Sequence, residues 1–410
     1  MCSPLLRPRL LLAFLALALA ACDSGGPSTG NDQIAGGVNL TRLFAPASAS
    51  EIQTVRGQWA ARASATQGVT GTVVSQATIG NATVYVVSHP VTTGPGAPLT
   101  HYGLVRIPAG AVGRPVLVVH HGGDNGLDVA AQSANTGLVQ MAAAFPDLFA
   151  QTVQVLPVYR SEELRTAGYA ALGGPYRAGG SASPWDYDVD DSMALLSAVL
   201  ALFPAQTDAG RVGALGFSRG GNVALLHAIR DGRIGAVTNY YGPSDFYNQD
   251  IQNLGIGLLA GLPSALGLPG GRFLLENVLA PLRGPDGRYN PNADYDGARL
   301  EVVRRSASLF TADLPPTQVH HHRRDPVVPF GVSAAFDARA QRSRPRGAYE
   351  FNAYGEAPTS NADLQPIFHA PEGFPQSLAA TQAFMQARLI GPPTLAARPP
   401  ATRRTPALAL

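Results

Sequence analysis

In the stretch RVGALGFSRGGNVALLHAI, residues 211–229, an uncharged apolar run ends at a serine and resumes as helix-compatible sequence. Few arrangements let a strand become a helix at a single residue. Neighbouring backbone must come so close that side chains at Gly216 and Gly220 would collide, and glycine removes that obstacle. Gly221 extends the allowance by permitting close helix packing. Gly216-Phe217-Ser218-Arg219-Gly220 fits G-x-S-x-G in the context that gives this pattern meaning, with a strand before it and a helix after it. The turn is expected to lift the Ser218 hydroxyl above the strand end and to face the free amides of the helix N-terminus toward an anion.

The rest of the chain repeats this alternation. NATVYVVSHPV and HYGLVRIPA read as an antiparallel pair opening a sheet, and RPVLVVHH, TVQVLPVYR, RVGALGF, GAVTNYYG, PTQVHHH and GAYEFNAYG read as its core strands. Helix-compatible segments separate them. One begins in WDYDVDDSMALLSAVLALF, where Asp186, Asp188, Asp190 and Asp191 suit capping and the first-turn dipole. The pattern predicts an α/β fold, a mostly parallel sheet with helices on both faces. Between Asp245 and Leu314 lie about seventy residues with apolar runs, too long for a bare loop. They are expected to form a helical cap, the alternative being a peripheral helical pair packed away from the site.

The N-terminus carries Arg7 and Arg9 ahead of an apolar run from Leu10 to Ala21, too short to span a bilayer as an ordinary helix. Residues 1–21 are expected to be a signal peptide, with an uncleaved anchor or a plain secretory signal as the alternatives. Leu19-Ala20-Ala21-Cys22 resembles the bacterial lipobox, which implies cleavage before Cys22 and lipid on its sulfur. That resemblance implies a lipid-anchored, extracytoplasmic protein of the bacterial cell envelope, in contact with the membrane through its N-terminus. Asp23 resembles an inner-membrane retention signal. Residues 22–47, rich in Gly, Ser, Asn and Pro, read as a flexible tether, 48–390 as the folded domain and 391–410 as an unstructured tail. Cys2 falls in the removed segment, so the mature chain has no internal disulfide to form.

Charge narrows the chemistry. A formal net charge of +2 over 410 residues, with no long basic run, lacks the footprint of a nucleic-acid binder. All 30 basic side chains are arginine, which removes Schiff-base chemistry and a Ser-Lys dyad. A serine nucleophile here needs a histidine, and that histidine needs an acid to hold its tautomer.

In a sheet of this kind both partners sit on loops past later strands, in the order serine, acid, histidine. Asp325 in HHHRRDPVVP and His369 in PIFHAPEGF meet that condition. Asp313, Glu356 and Asp363 compete with Asp325 and lack its place just after a strand. Arg323 and Arg324 are expected to favour its ionised form. His320, His321 and His322 alternate between faces of a strand and cannot all ligate one ion, so no metal or other cofactor is predicted. His227 reads as a packed or surface histidine. In HHGGD, Gly122 and Gly123 are placed to offer backbone amides to an oxyanion, with the Arg219 amide as second donor, while His120 and His121 shape the loop.

Taken together, Ser218, Asp325, His369 and HHGGD resemble the α/β-hydrolase superfamily, from about Asn81 to Leu389. PVYRSEEL, DYDVDDSMALL, RVGALGFSRGGNVAL, YYGPSDF and HHHRRDPVVP are similar to the catalytic domain of the prolyl oligopeptidase branch and to dienelactone-hydrolase-like esterases. The resemblance implies a serine hydrolase acting on a small ester or peptide. No segment ahead of Asn81 has the length of the β-propeller that screens those peptidases, and HHGGD lacks the third glycine of the lipase-type loop. The cap resembles the lids of esterases and lipases, which favours ester over peptide hydrolysis. A non-catalytic binding lipoprotein on the same scaffold is the remaining alternative and requires the three residues to lie apart.

Overall fold

The computed structural model describes residues 32–131, 133, 136–343, 345–355, 369 and 375–391. The expected signal peptide, Cys22 and the tail beyond Gly391 lie outside the described residues.

Nine strands form one sheet: β1 (Thr72–Ile79), β2 (Ala82–Val91), β3 (Leu99–Pro108), β4 (Arg114–His120), β5 (Val153–Pro157), β6 (Thr207–Phe217), β7 (Ile234–Tyr240), β8 (Thr317–His322) and β9 (Tyr349–Tyr354). Their spatial order is β9-β8-β7-β6-β4-β5-β3-β2-β1. From β9 across to β5 every pairing is parallel, while β5–β3, β3–β2 and β2–β1 are antiparallel. The parallel half behaves as expected for strands buried on both sides: Val116 and Val118 of β4 point into one apolar core, Leu117 and Val119 into the other.

The sheet opens with three antiparallel strands where the sequence suggests two. The additional one, β1, is an edge strand with Val73 and Val74 both exposed, so it lacks the alternation that marks a half-buried strand.

The longer helices among the described residues are α1 (Ala49–Ala63), α2 (Tyr187–Leu202), α3 (Arg219–Arg230), α4 (Gln249–Leu259), α5 (Tyr295–Arg305), α6 (Phe330–Ser343) and α7 (Pro375–Met385). Residues 245–314 are helical over α4, several short turns and α5. Leu258 is buried in the core under them, and Ile256, Phe273 and Leu274 pack half-buried against it.

The described part of the expected tether is structured. Ile34–Ala35 pairs with Val38–Asn39, and Leu40–Leu43 is a helical turn capped by the Asn39 side chain. Arg299 of α5 explains why: its guanidinium donates to the carbonyls of Arg42, Leu43, Ala45 and Pro46 and to both carboxylate oxygens of Glu51. One long-range cation thus satisfies a segment whose local composition resembles a linker.

Candidate active site

The strand-to-helix turn is built at Ser218. Its backbone takes φ 51° and ψ −124°, a region that costs a non-glycine residue about 1–3 kcal/mol. Two backbone hydrogen bonds hold it there: the Ser218 amide donates to the Tyr240 carbonyl at 2.9 Å and the Gly221 amide donates to the Ser218 carbonyl at 2.8 Å. The glycines are sterically required. A Cβ on Gly216 would lie 2.1 Å from the Gly220 carbonyl oxygen, and one on Gly220 would lie 2.3 Å from that of His120. At Gly221 a Cβ would meet Asn239 Oδ1 at 2.2 Å, consistent with close packing of α3 on β7.

Ser218, His369 and Asp325 come together from positions distant in sequence. His369 Nε2 lies 3.2 Å from Ser218 Oγ, and His369 Nδ1 lies 2.8 and 2.9 Å from the two oxygens of Asp325. Asp325 follows β8, where its Oδ1 accepts the amides of Val327 and Val328. Burial is the largest influence on the Asp325 carboxyl and pushes it up. Hydrogen bonds from His321 and His369 outweigh it and leave the group below its usual value. These histidines thus replace Arg323 and Arg324 as the reason for ionisation. Arg323 instead stacks on Phe330, and the Arg324 amide donates to His322 Nδ1. Of the competing acids, Asp313 pairs with Arg56. Glu356 and Asp363 lie outside the described residues.

The glycine loop is joined to the elbow by a side chain. Arg219 donates to the Gly123 carbonyl at 3.3 Å, and Gly123 takes φ 72°. His121 Nδ1 donates to the Gly122 carbonyl at 2.9 Å. Arg219 is fully buried and also meets Asp188, at 2.7 Å, and Glu162. Burial opposes its charge, but the two carboxylates prevail and raise its pKa. Two acids then share one cation, and burial pushes Asp188 up to about 6 and Glu162 up as well.

The aspartate cluster of α2 keeps the expected first-turn placement of Asp188 and Asp190 but not the expected side-chain cap, and it has partners the sequence did not show. Asp186 occupies the N-cap position without capping the helix through its side chain. It is buried and receives Trp59, Arg62 and Arg304 instead, while Asp190 pairs with Arg62 and Arg230 and Asp191 with Arg160. These carboxylates are the buried half of an arginine network, with partners distant in sequence that local patterning does not reveal.

The histidine run divides by face. His320 stacks on Tyr240 and meets Tyr354, Gln318 and Thr381, whereas His321 meets Ser333, Val328 and Asp325. His227 is buried and bridges His120 and Asp231. Two residues that sequence reasoning passed over also adopt positive φ beside the site. The Tyr241 ring lies 4.4 Å from that of His369, and Trp185 donates its indole N–H to the Arg219 carbonyl. Trp185 is also where the 245–314 segment comes close, since a Cβ on Gly270 would lie 2.5 Å from its ring. A cavity of about 390 Å³ lies elsewhere, between the β1–β2 turn and residues 138–150, and none of Ser218, Asp325 or His369 lines it.

Residues 103–261 match the Dienelactone hydrolase family, in keeping with the resemblance of RVGALGFSRGGNVAL and its neighbours. None of the curated protein sequences matches the chain. Acetyl xylan esterase 1 from Thermoanaerobacterium sp. JW/SL YS485 superposes with a TM-score of 0.50 at 12% identity, covering 85% of this chain and 99% of its own. The acetyl xylan esterase from Paenibacillus sp. R4 superposes with a TM-score of 0.51 at 15% identity, covering 86% and 100%. At these identities the likeness is one of fold, and the fold is that of the α/β hydrolases.

Proposed function

We propose that this chain is a serine hydrolase that cleaves carboxylic esters through an acyl-enzyme. The observation that carries the reading is the unbroken hydrogen-bonded line from Ser218 Oγ through His369 to Asp325, set on a turn of positive φ. In this reading Ser218 Oγ attacks the acyl carbonyl while His369 Nε2 takes its proton. His369 then gives that proton to the leaving alcohol, and a water deprotonated by His369 releases the acid. Asp325 stabilises the imidazolium formed in each half. The amides of Arg219 and of Gly122 or Gly123 face the oxyanion, each donor contributing about 3–4 kcal/mol. Replacing Ser218 by Ala is expected to abolish labelling by a fluorophosphonate probe and to reduce ester turnover by several orders of magnitude. Undiminished turnover would sink the reading.

Esters are favoured over peptides because the helical segment 245–314 reaches Trp185 beside the elbow. A peptidase would instead cleave Xaa-Pro or aminoacyl amides faster than short acyl esters. The half-buried Ile256, Phe273 and Leu274 then become candidates to contact the acyl chain, giving a preference for short to medium chains over acetyl. A purely binding role requires the three site residues to be separated, and their mutual distances argue against it.

The reading includes attachment to the cell envelope through lipid on Cys22. Two acyl chains suffice for stable anchoring. In the native host the protein should fractionate with membranes, and Cys22→Ser should release it.

A further inference from the structure

Asp325 faces two imidazoles. On one side stands His369; on the other, His321 Nε2 lies 3.3 Å from Asp325 Oδ2. His321 sits on β8 and is wholly buried. Its nitrogens are assigned by what they meet. Nε2 is 2.8 Å from the Val328 carbonyl oxygen, which can only accept, so Nε2 carries the hydrogen. Nδ1 is therefore the acceptor, and Ser333 Oγ, buried on α6, donates to it at 2.6 Å. The Phe330 ring stands edge-on to the imidazole and closes its remaining side. A histidine held at both nitrogens in a dry pocket has one orientation and one tautomer, which is what a group must have to position another.

We propose that His321 is a positioning residue for the candidate triad: fixed by Ser333 and Val328, it keeps the Asp325 carboxylate ionised and aimed at His369, and so sets how well His369 serves Ser218. A line of contacts then runs through Ser333, His321, Asp325, His369 and Ser218, with the His321 Nε2–H directed at Val328 and 3.3 Å from the Asp325 carboxylate. Burial alone would favour the protonated acid, and the His321 N–H supplies one of the contacts that oppose it. The inference rests on reading Ser218, His369 and Asp325 as the reacting groups, and its test separates the two.

The test uses the full chain with His321→Leu, His321→Gln and Ser333→Ala, the two His321 variants also in an Asp325→Ala background. It reads kcat and KM on nitrophenyl esters, the rate of fluorophosphonate labelling and the melting temperature. His321→Leu should lower kcat and the labelling rate at least tenfold with KM unchanged. His321→Gln, whose amide can donate toward Asp325, should recover most of that loss. Ser333→Ala, which frees the tautomer, should cost a few-fold even if His321→Leu fails to fold. With Asp325 removed, neither His321 variant should lower the residual rate further, because the effect passes through that carboxylate. An undiminished loss in the Asp325→Ala background, no rescue by Gln, or full activity of a folded His321→Leu enzyme would overturn the proposal. Full turnover by Ser218→Ala would instead overturn the triad reading beneath it.

Discussion

Arg219 and Asp188 meet at 2.7 Å with both side chains buried, one residue beyond the serine at the elbow. The same guanidinium holds the Gly123 carbonyl, so a contact within the core also joins the two halves of the candidate oxyanion site. Removing Asp188 leaves Arg219 with Glu162 alone and takes away a charge-assisted hydrogen bond, typically about 1.5–3 kcal/mol. Asp188→Ala is therefore expected to lower the unfolding free energy by about that much, read as a lower urea midpoint. Ester turnover of the fraction still folded should fall too, because Arg219 loses its anchor. A variant with unchanged midpoint and rate would refute this coupling.

Asp325→Asn should leave the fold intact and lower kcat by roughly 10³–10⁴, with a small effect on KM. The amide would present a donor to His369 Nδ1, which now donates to the carboxylate, and so favour the tautomer that cannot take the Ser218 proton. Steady-state kinetics on nitrophenyl esters provide the check.

At Gly220 the obstacle is backbone on two sides: a Cβ would stand 2.3 Å from the His120 carbonyl oxygen and 2.4 Å from that of His121. Neither can rotate away, and both lead into the Gly122–Gly123 loop. Gly220→Ala is expected to cost at least a hundredfold in kcat/KM. Gly123→Ala meets no atom within 4 Å and should cost only the strain of its φ of 72°, about 1 kcal/mol of stability.

Glu51 gives the fold a measurable pH dependence. Its hydrogen bonds to Arg299 hold the carboxyl down to about 2, against 4.5 for the free group. A folded value below the unfolded one means that the stabilisation is complete above pH 4.5 and is lost as the pH falls toward 2. Glu51→Gln should therefore destabilise the protein by about 1 kcal/mol at pH 7, after allowing for solvent screening. The difference from wild type should vanish as the pH approaches 2. Urea titrations at several pH values test it, and a pH-independent difference would count against the ion pair.

What the sequence by itself determined is local or ordered along the chain. Gly216 and Gly220 around Ser218 announce a turn that no side chain could occupy, and that requirement is written in adjacent residues. Eight strands were legible because burial on one or both faces leaves a period-two or continuous apolar signature, and the order Ser218, Asp325, His369 follows from strands that all end on one side. Tertiary structure decided whatever depends on a partner far along the chain. Asp186, Asp188, Asp190 and Asp191 read as helix-start residues and nothing more because the arginines that neutralise them, from Arg62 to Arg304, are distant in sequence. Residues 32–47 read as linker because Arg299, which satisfies their carbonyls, arrives from more than 250 positions away. His321 read as one of three like neighbours, and only the packing of α6 against β8 set it between Ser333 and Asp325. Periodicity records which face of an element is dry; it carries no record of which charge or donor meets it there.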